Sequence, residues 1–98
     1  MKNINSYIFL GTINSVEIDD KSIKIALKDV NGITIRVTYW STELLMPMFQ
    51  VSSFIDVYLA LKSAQNLSVH ANITKKIITK PNGTSSIYYD GQSLDYVQ

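Results

Sequence analysis

Apolar and polar residues alternate with a period of two along most of residues 1–79, and this pattern predicts a chain built mainly of β-strands. Ile23, Ile25 and Leu27 are separated by lysine and alanine, as in a strand with one face in a core. The same alternation returns over residues 33–40 after Asn31-Gly32. Asn-Gly favours a tight hairpin because both residues tolerate positive φ. These two segments are predicted to pair as the second and third strands.

Three further segments also alternate. Residues 7–19 are predicted to form a long first strand, with Gly11 at a bend or bulge. In this strand Ile8 and Leu10 point to one side, and Tyr7 and Phe9 to the other. The fourth strand is predicted over residues 54–62, and the fifth over residues 67–73 with an extension to 78.

A short helix is predicted between the third and fourth strands. It begins at Ser41-Thr42, where a hydroxyl group can cap it, and Glu43 lies in its first turn. Pro47 limits its length.

The last 19 residues have two interpretations. Pro81-Asn82-Gly83 is typical of a turn. Residues 80–98 could be a disordered tail, or residues 76–80 could pair with residues 85–89 as an additional hairpin.

The order β-β-β-α-β-β predicts an all-β fold, a five-stranded OB-fold barrel with one short helix between strands 3 and 4. Closure of a barrel removes the two free edges that an open sheet would expose. A sandwich would require about seven strands. We assign residues 1–79 to the barrel domain and residues 80–98 to a C-terminal tail or hairpin extension.

Composition excludes several classes of function. The 98-residue chain has no cysteine and one histidine, which argues against disulfides, a cysteine-ligated zinc and a thiol nucleophile. We find no nucleophile-elbow, phosphate-loop or zinc-protease motif, and Asp19-Asp20 is assigned to a turn. No segment suits a signal peptide or a membrane span. We therefore expect a non-enzymatic protein in the cytoplasm, with no cofactor, metal or membrane partner.

Cations and an indole are predicted to share the outer face of the central hairpin. If the alternating aliphatic residues face the core, then Lys24, Lys28, Arg36 and Trp40 face outward together. Single-stranded nucleic acid suits this combination, because cations attract phosphates and bases stack on aromatic rings. Tyr58 and Lys62 would extend the surface from the fourth strand. The predicted nucleic-acid-binding residues are Lys24, Lys28, Arg36, Trp40, Tyr58 and Lys62.

Other roles for these side chains are possible. The cations could only solvate the barrel, and Trp40 could pack beneath the helix or in a subunit interface. Tyr7 and Phe9 are assigned to the outer surface, where an interface between subunits would cover them. Tyr88 and Tyr89 could stack on bases or contact a neighbouring molecule.

Three segments resemble the bacterial single-stranded DNA-binding protein superfamily, which includes primosomal replication proteins. They are Asn5-Ser6-Tyr7-Ile8-Phe9-Leu10-Gly11-Thr12-Ile13, Val51-Ser52-Ser53-Phe54-Ile55-Asp56-Val57-Tyr58-Leu59 and Asn66-Leu67-Ser68-Val69-His70-Ala71-Asn72-Ile73. The resemblance covers about residues 5 to 79. It implies an OB-fold and assembly as a homodimer or homotetramer.

Together these features predict a protein that binds single-stranded DNA with weak sequence preference and serves DNA replication or recombination. RNA is a close alternative because stacking does not depend on the sugar. The net charge of +1 gives no support by itself. The alternative function is an OB-fold subunit for protein–protein interaction, with its aromatic face buried against a partner.

Overall fold

A computed structural model describes residues 6–45 and 53–97 of the chain. Within these ranges the chain forms five strands, one α-helix and one 3₁₀ turn, Thr42–Leu44. The elements are β1 (Ser6–Ile18), β2 (Ile23–Lys28), β3 (Thr34–Tyr39), α1 (Phe54–Ser63), β4 (Ser68–Thr79) and β5 (Ser85–Tyr96).

The strands close into a barrel in the order β1-β2-β3-β5-β4. Neighbouring strands are antiparallel except for β3 and β5, which run parallel. A five-stranded closed barrel with one short helix between β3 and β4 is the OB-fold arrangement. The predicted fold class is therefore confirmed.

The central hairpin has the predicted register. Ile25 lies opposite Val37, and Leu27 lies opposite Ile35, so that the odd-numbered positions face the interior. These four side chains are buried in the core. Ile33 belongs to the same alternating series and was predicted to face the core. It precedes β3, however, and is 57% exposed.

β1 pairs with two strands, β2 and β4, and so links them within the closed barrel. Its first half pairs with β4 and its second half pairs with β2, and Thr12 is registered with both. Gly11 lies where these partners meet, and a Cβ there would come within 2.6 Å of the Lys28 carbonyl oxygen. The glycine is therefore explained by this close approach, and its pairing with Val69 is regular, without the predicted bulge. The bulge of β1 lies farther on, between Ile13 and Ser15.

Phe9 of β1 is half-buried and faces inward, which corrects its assignment to the outer surface, whereas Tyr7 remains 41% exposed. Tyr7 lies opposite Ile73, and Phe9 packs against the core. Burial raises the pKa of the Tyr7 hydroxyl, and the nearby Tyr89 adds to the effect. Ile8 and Leu10 face outward instead, 59% and 61% exposed. The sequence showed two faces, but the partner strand decides which one is internal.

The predicted fourth strand is wrong, because residues 54–63 form the helix α1. The buried residues Val57, Leu61 and Ala64 follow the spacing i, i+4, i+7 of a helix face. The signal for a helix was present in Ser53 and Asp56: the Ser53 hydroxyl accepts a hydrogen bond from the Asp56 amide at 3.1 Å. The helix predicted from Ser41 is only a 3₁₀ turn, and the remainder of that prediction lies outside the described residues.

The fifth barrel strand comes from the segment left open as a tail or hairpin. β5 pairs with β4 over its whole length, from Thr79 opposite Ser85 to Val69 opposite Tyr96. It also pairs with β3, which closes the barrel. The hairpin interpretation is confirmed, and the barrel extends to residue 96, beyond the proposed boundary at 79.

Gly91 of β5 makes room for the largest fully buried side chain of the core. A Cβ at Gly91 would overlap the ring of Tyr39, which is 0% exposed. The Tyr39 hydroxyl donates a 2.8 Å hydrogen bond to the Ser93 carbonyl oxygen. Burial raises the pKa of this hydroxyl strongly, and the negative charge of Asp95 raises it further. Tyr39 therefore joins β3 to β5 as a neutral donor.

The helical assignment of α1 can be tested with two leucines that a strand would place on the same face. We expect Leu61→Ala to lower the free energy of unfolding by about 2–5 kcal/mol, because Leu61 is fully buried. Leu59→Ala should change it by less than about 0.5 kcal/mol, because Leu59 is 55% exposed. Urea denaturation measures both values. Equal losses would contradict the helix.

Candidate nucleic-acid interface

The predicted cationic residues of the central hairpin share one outer wall of the barrel. Lys24 lies opposite Thr38, Lys28 opposite Thr34, and Arg36 opposite Ala26. We call the outward face of β2 and β3 the β2–β3 wall. Along each strand the side chains of this wall alternate with buried ones, as the period of two of a β-strand requires.

Trp40 directly follows β3 and continues this wall. Its side chain is 59% exposed, so it lies outside the core. The indole Nε1–H donates a hydrogen bond to Asp90 Oδ1 at 3.1 Å. The position predicted for Trp40, outward and on the wall of the cations, is therefore the position observed.

Two hollows flank the indole, and together we call them the Trp40 cleft. The first has a volume of about 340 Å³ and is lined by Asp19, Asp20, Lys21 and Trp40. The second has a volume of about 320 Å³ and is lined by Thr38, Trp40, Lys76, Ile78, Tyr88 and Asp90. The ring thus lies between the β1–β2 turn and the β4–β5 hairpin.

The β4–β5 hairpin contributes a second aromatic ring to the cleft. Tyr88 lies opposite Lys76 and is 49% exposed, and Ile78 lines the same hollow. Tyr89 is the next residue and packs against the core. Of the two tyrosines weighed in the sequence, only Tyr88 lies at the cleft.

Asp90 contacts two side chains of the cleft, Trp40 and Lys76. The sequence alone did not predict this role. Asp90 lies beside Thr38 in the parallel β3–β5 pairing, and its side chain is 13% exposed. One carboxylate oxygen accepts from Trp40, and the other forms an ion pair with Lys76. Its role depends on β5 joining the barrel beside β3, and no local pattern around residue 90 signals that pairing.

Two further cations of the wall are also paired with carboxylates. Lys24 Nζ lies 3.6 Å from Asp19 Oδ2, and Arg36 Nη2 lies 3.2 Å from Glu17 Oε1. Glu17 is registered opposite Lys24 on the neighbouring strand β1, and Asp19 lies in the β1–β2 turn, so both acids border the wall. Carboxylates therefore lie along the border of the wall, next to Lys24 and Arg36.

Asp19 has a structural role in the β1–β2 turn. Its Oδ1 accepts hydrogen bonds from the amides of Lys21 and Ser22 at 2.9 and 2.8 Å, and the buried Ser22 hydroxyl bonds to the same carboxylate. The Lys21 amide contributes most to lowering the pKa of Asp19, and Ser22 and Lys24 lower it further. The assignment of Asp19-Asp20 to a turn agrees with this geometry.

Lys28 shares the wall but lies far from the indole. Its partner Thr34 lies six residue steps from Trp40, which is about 20 Å along a strand. Lys28 lines a separate hollow of about 470 Å³ with Leu10, Gly11, Thr12, Asp29, Val30, Ser68 and Val97.

Tyr58 and Lys62 do not extend the wall, because both lie on α1. Tyr58 is half-buried against the core, and Lys62 Nζ lies 5.6 Å from the centroid of its ring. This is an i, i+4 pair on a helix. Their predicted place beside the central hairpin depended on the fourth strand and is incorrect.

The described ranges contain no cluster of three or more His, Cys, Asp or Glu residues that could hold a metal ion. Within the same ranges no helix is long and apolar enough to cross a membrane.

The sequence matches no protein-family model, and the search of curated proteins returned no match. The fold does have relatives among solved structures. A chain of the Replication Protein A heterotrimer bound to ssDNA superimposes with a TM-score of 0.59 at 10% identity, over 99% of this chain and 61% of that one. Rim1, a mitochondrial single-stranded DNA binding protein of S. cerevisiae, gives 0.59 at 8% identity, over 98% and 96%.

A domain of an enzyme is similar to the same degree. Asparaginyl-tRNA synthetase from Pyrococcus horikoshii gives a TM-score of 0.62 at 12% identity, over 98% of this chain and 20% of that one. The chain thus spans less than two thirds of the Replication Protein A and synthetase chains that it matches. At these identities the likenesses establish the fold.

Asp90 can be tested as the anchor of the indole through Trp40, the single tryptophan of the chain. Asp90→Ala removes the acceptor for Nε1–H, so the ring should rotate more freely and the steady-state anisotropy of its emission should fall. Asp90→Asn retains an oxygen acceptor and should leave the anisotropy near that of the unmodified protein. An unchanged anisotropy in Asp90→Ala would contradict the anchoring role.

The lowered pKa of Asp19 predicts a pH dependence. Its ionised form is favoured in the folded chain, so its contribution to stability is complete above the unfolded pKa of about 4 and is lost as pH falls through the lower folded value. We expect the difference in Tm between the unmodified protein and Asp19→Asn to be larger at neutral pH than near pH 3. Thermal unfolding followed by circular dichroism measures this. A difference independent of pH would refute it.

Proposed function

We propose that this chain binds single-stranded DNA along the β2–β3 wall and the Trp40 cleft, without catalysing a reaction. The observation that carries the proposal is the exposed indole of Trp40, held between two hollows on the wall that bears Lys24 and Arg36. Bases would stack on Trp40 and Tyr88, and phosphates would approach the cations.

The shape of the cleft favours an unpaired strand over a duplex. The two rings lie on different elements, and a hollow of about 320 Å³ separates them, within the size range of small-molecule pockets. An unstacked base can enter such a space, whereas a duplex keeps its bases stacked inside. Because stacking is tolerant of base identity, we propose weak sequence preference.

Two solved relatives support a nucleic-acid ligand by analogy. Replication Protein A, solved bound to ssDNA, and Rim1, a single-stranded DNA binding protein, share this barrel. The shared fold alone does not establish function, so the proposal depends on the side chains of the cleft. We further propose that the chain acts in the cytoplasm as an accessory to DNA replication or recombination, as a homodimer or homotetramer. RNA is the nearest alternative ligand.

A second function, as a subunit for protein–protein interaction, has its own observation. Ile8 and Leu10 are more than half exposed on the outer face of β1 and neighbour each other on that face. Apolar pairs of this kind are typical of surfaces that another protein covers. This surface is separate from the Trp40 cleft, so the two functions can be tested independently.

We expect Trp40→Ala to weaken binding of oligo-dT by roughly 5- to 150-fold, the equivalent of about 1–3 kcal/mol for one stacked base. Fluorescence anisotropy of a labelled oligonucleotide at low salt measures the affinity. Leu59→Ala is the matched control, because it removes an exposed apolar side chain from α1, away from the wall.

Trp40→Ala in the cleft and Leu10→Ala on the outer face of β1 separate the two functions. If the cleft serves DNA, Trp40→Ala loses affinity while light scattering shows unchanged assembly. If the folded, unmodified protein binds no oligonucleotide at low salt, the proposed function is wrong. Loss of a complex in Leu10→Ala, with DNA affinity unaffected, would favour the protein-interaction function.

A further inference from the structure

Three of the positive groups at or beside the Trp40 cleft have anionic partners, whereas Lys21, which lines the first hollow, forms none of the ion pairs found among the described residues. Lys24 contacts Asp19, Arg36 contacts Glu17, and Lys76 contacts Asp90. The first two pairs are solvent-exposed, with side-chain exposures of 37% and 49% for Lys24 and Asp19, and 62% and 56% for Arg36 and Glu17. Pairs this exposed are weak, so a phosphate could displace the carboxylate.

Displacement changes the electrostatics of binding. A free lysine or arginine that neutralises a phosphate releases the counterion of that phosphate, which drives binding at low salt. A cation taken from a carboxylate leaves that carboxylate charged and in need of its own counterion. The net release is then close to zero. The carboxylate also remains near the bound phosphate and repels it.

Stacking does not incur this cost. A base on Trp40 or Tyr88 gains about 1–3 kcal/mol from the ring whether or not the cations are paired. Single strands can use this contribution. Duplex DNA presents mainly phosphates to a surface of this kind, so each paired cation reduces what it could gain.

We propose that Glu17 and Asp19, with Asp90 beneath the indole, are specificity-determining residues that make the surface select single-stranded over duplex DNA. The inference rests on the proposed function. It also accounts for the net charge of +1, because a surface that binds through stacking does not need a strongly basic face.

Glu17→Gln is the sharpest test. Glutamine keeps the length of the side chain and an oxygen that can accept from Arg36, but it removes the charge. Affinities are measured for a labelled single strand and for a duplex of equal length between about 50 and 200 mM salt. For the unmodified protein we expect weak duplex binding and a small dependence of log Kd on log salt.

In Glu17→Gln, one cation becomes available to phosphates. The dependence on log salt should steepen by about 0.7 for the single strand and by about 0.9 for the duplex. Duplex affinity should rise about two- to fivefold at the lowest salt, the range expected from one exposed ion pair. The ratio of single-strand to duplex affinity should fall. A purely structural role for Glu17 would not alter the salt dependence.

Asp95→Asn is the control, because it makes the same change in net charge at an exposed position on β5 opposite His70, and Asp95 does not line the cleft. It should leave both salt dependences unchanged. If Glu17→Gln behaves like Asp95→Asn while the unmodified protein binds single strands, the inference is overturned and the proposed function stands. If the unmodified protein binds no single strand, the proposed function itself fails, and this inference fails with it.

Discussion

The parallel pairing of β3 with β5 is the constraint on which the rest of the molecule depends. The other strand pairs are antiparallel, whereas this contact joins residues 52 positions apart in the sequence, Val37 and Tyr89, and closes the barrel. It brings Thr38 beside Asp90, and the Tyr39 hydroxyl to the Ser93 carbonyl oxygen. The β3–β5 pairing therefore determines both the position of Tyr39 in the core and the position of Asp90 at the cleft. Without this pairing, Trp40 and Tyr88 would have no common surface.

The outer surface combines aromatic rings with neutralised charge. Trp40 and Tyr88 remain exposed, while Lys24, Arg36 and Lys76 have carboxylate partners. Such a surface differs from the strongly basic faces that follow the phosphates of duplex DNA. Its chemistry is better suited to ligands that offer flat, unstacked rings. The near-neutral charge of the chain is consistent with this arrangement.

Local patterns predicted the parts of this structure that depend on local chemistry. The alternation around Asn31-Gly32 specified the central hairpin, and with it the shared wall of Lys24, Arg36 and Trp40. Residues 54–62 were misread because Val57 and Leu61 satisfy both a period of two and a helical spacing of four; the cap at Ser53 distinguishes the two readings. Asp90 could not be identified, since its partners Trp40 and Lys76 are brought to it only by long-range pairing.

The β3–β5 pairing is also the shortest strand pairing in the barrel. Its registered pairs are Val37 with Tyr89 and Thr38 with Asp90. Local opening of a protein begins where the fewest interactions must break. The hollow between Trp40 and Tyr88 lies over this pairing, because Thr38 of β3 and Asp90 of β5 both line it. A molecule bound between those two rings would therefore stabilise the closed barrel. Occupancy of this hollow and local opening of the β3–β5 pairing are thus thermodynamically linked.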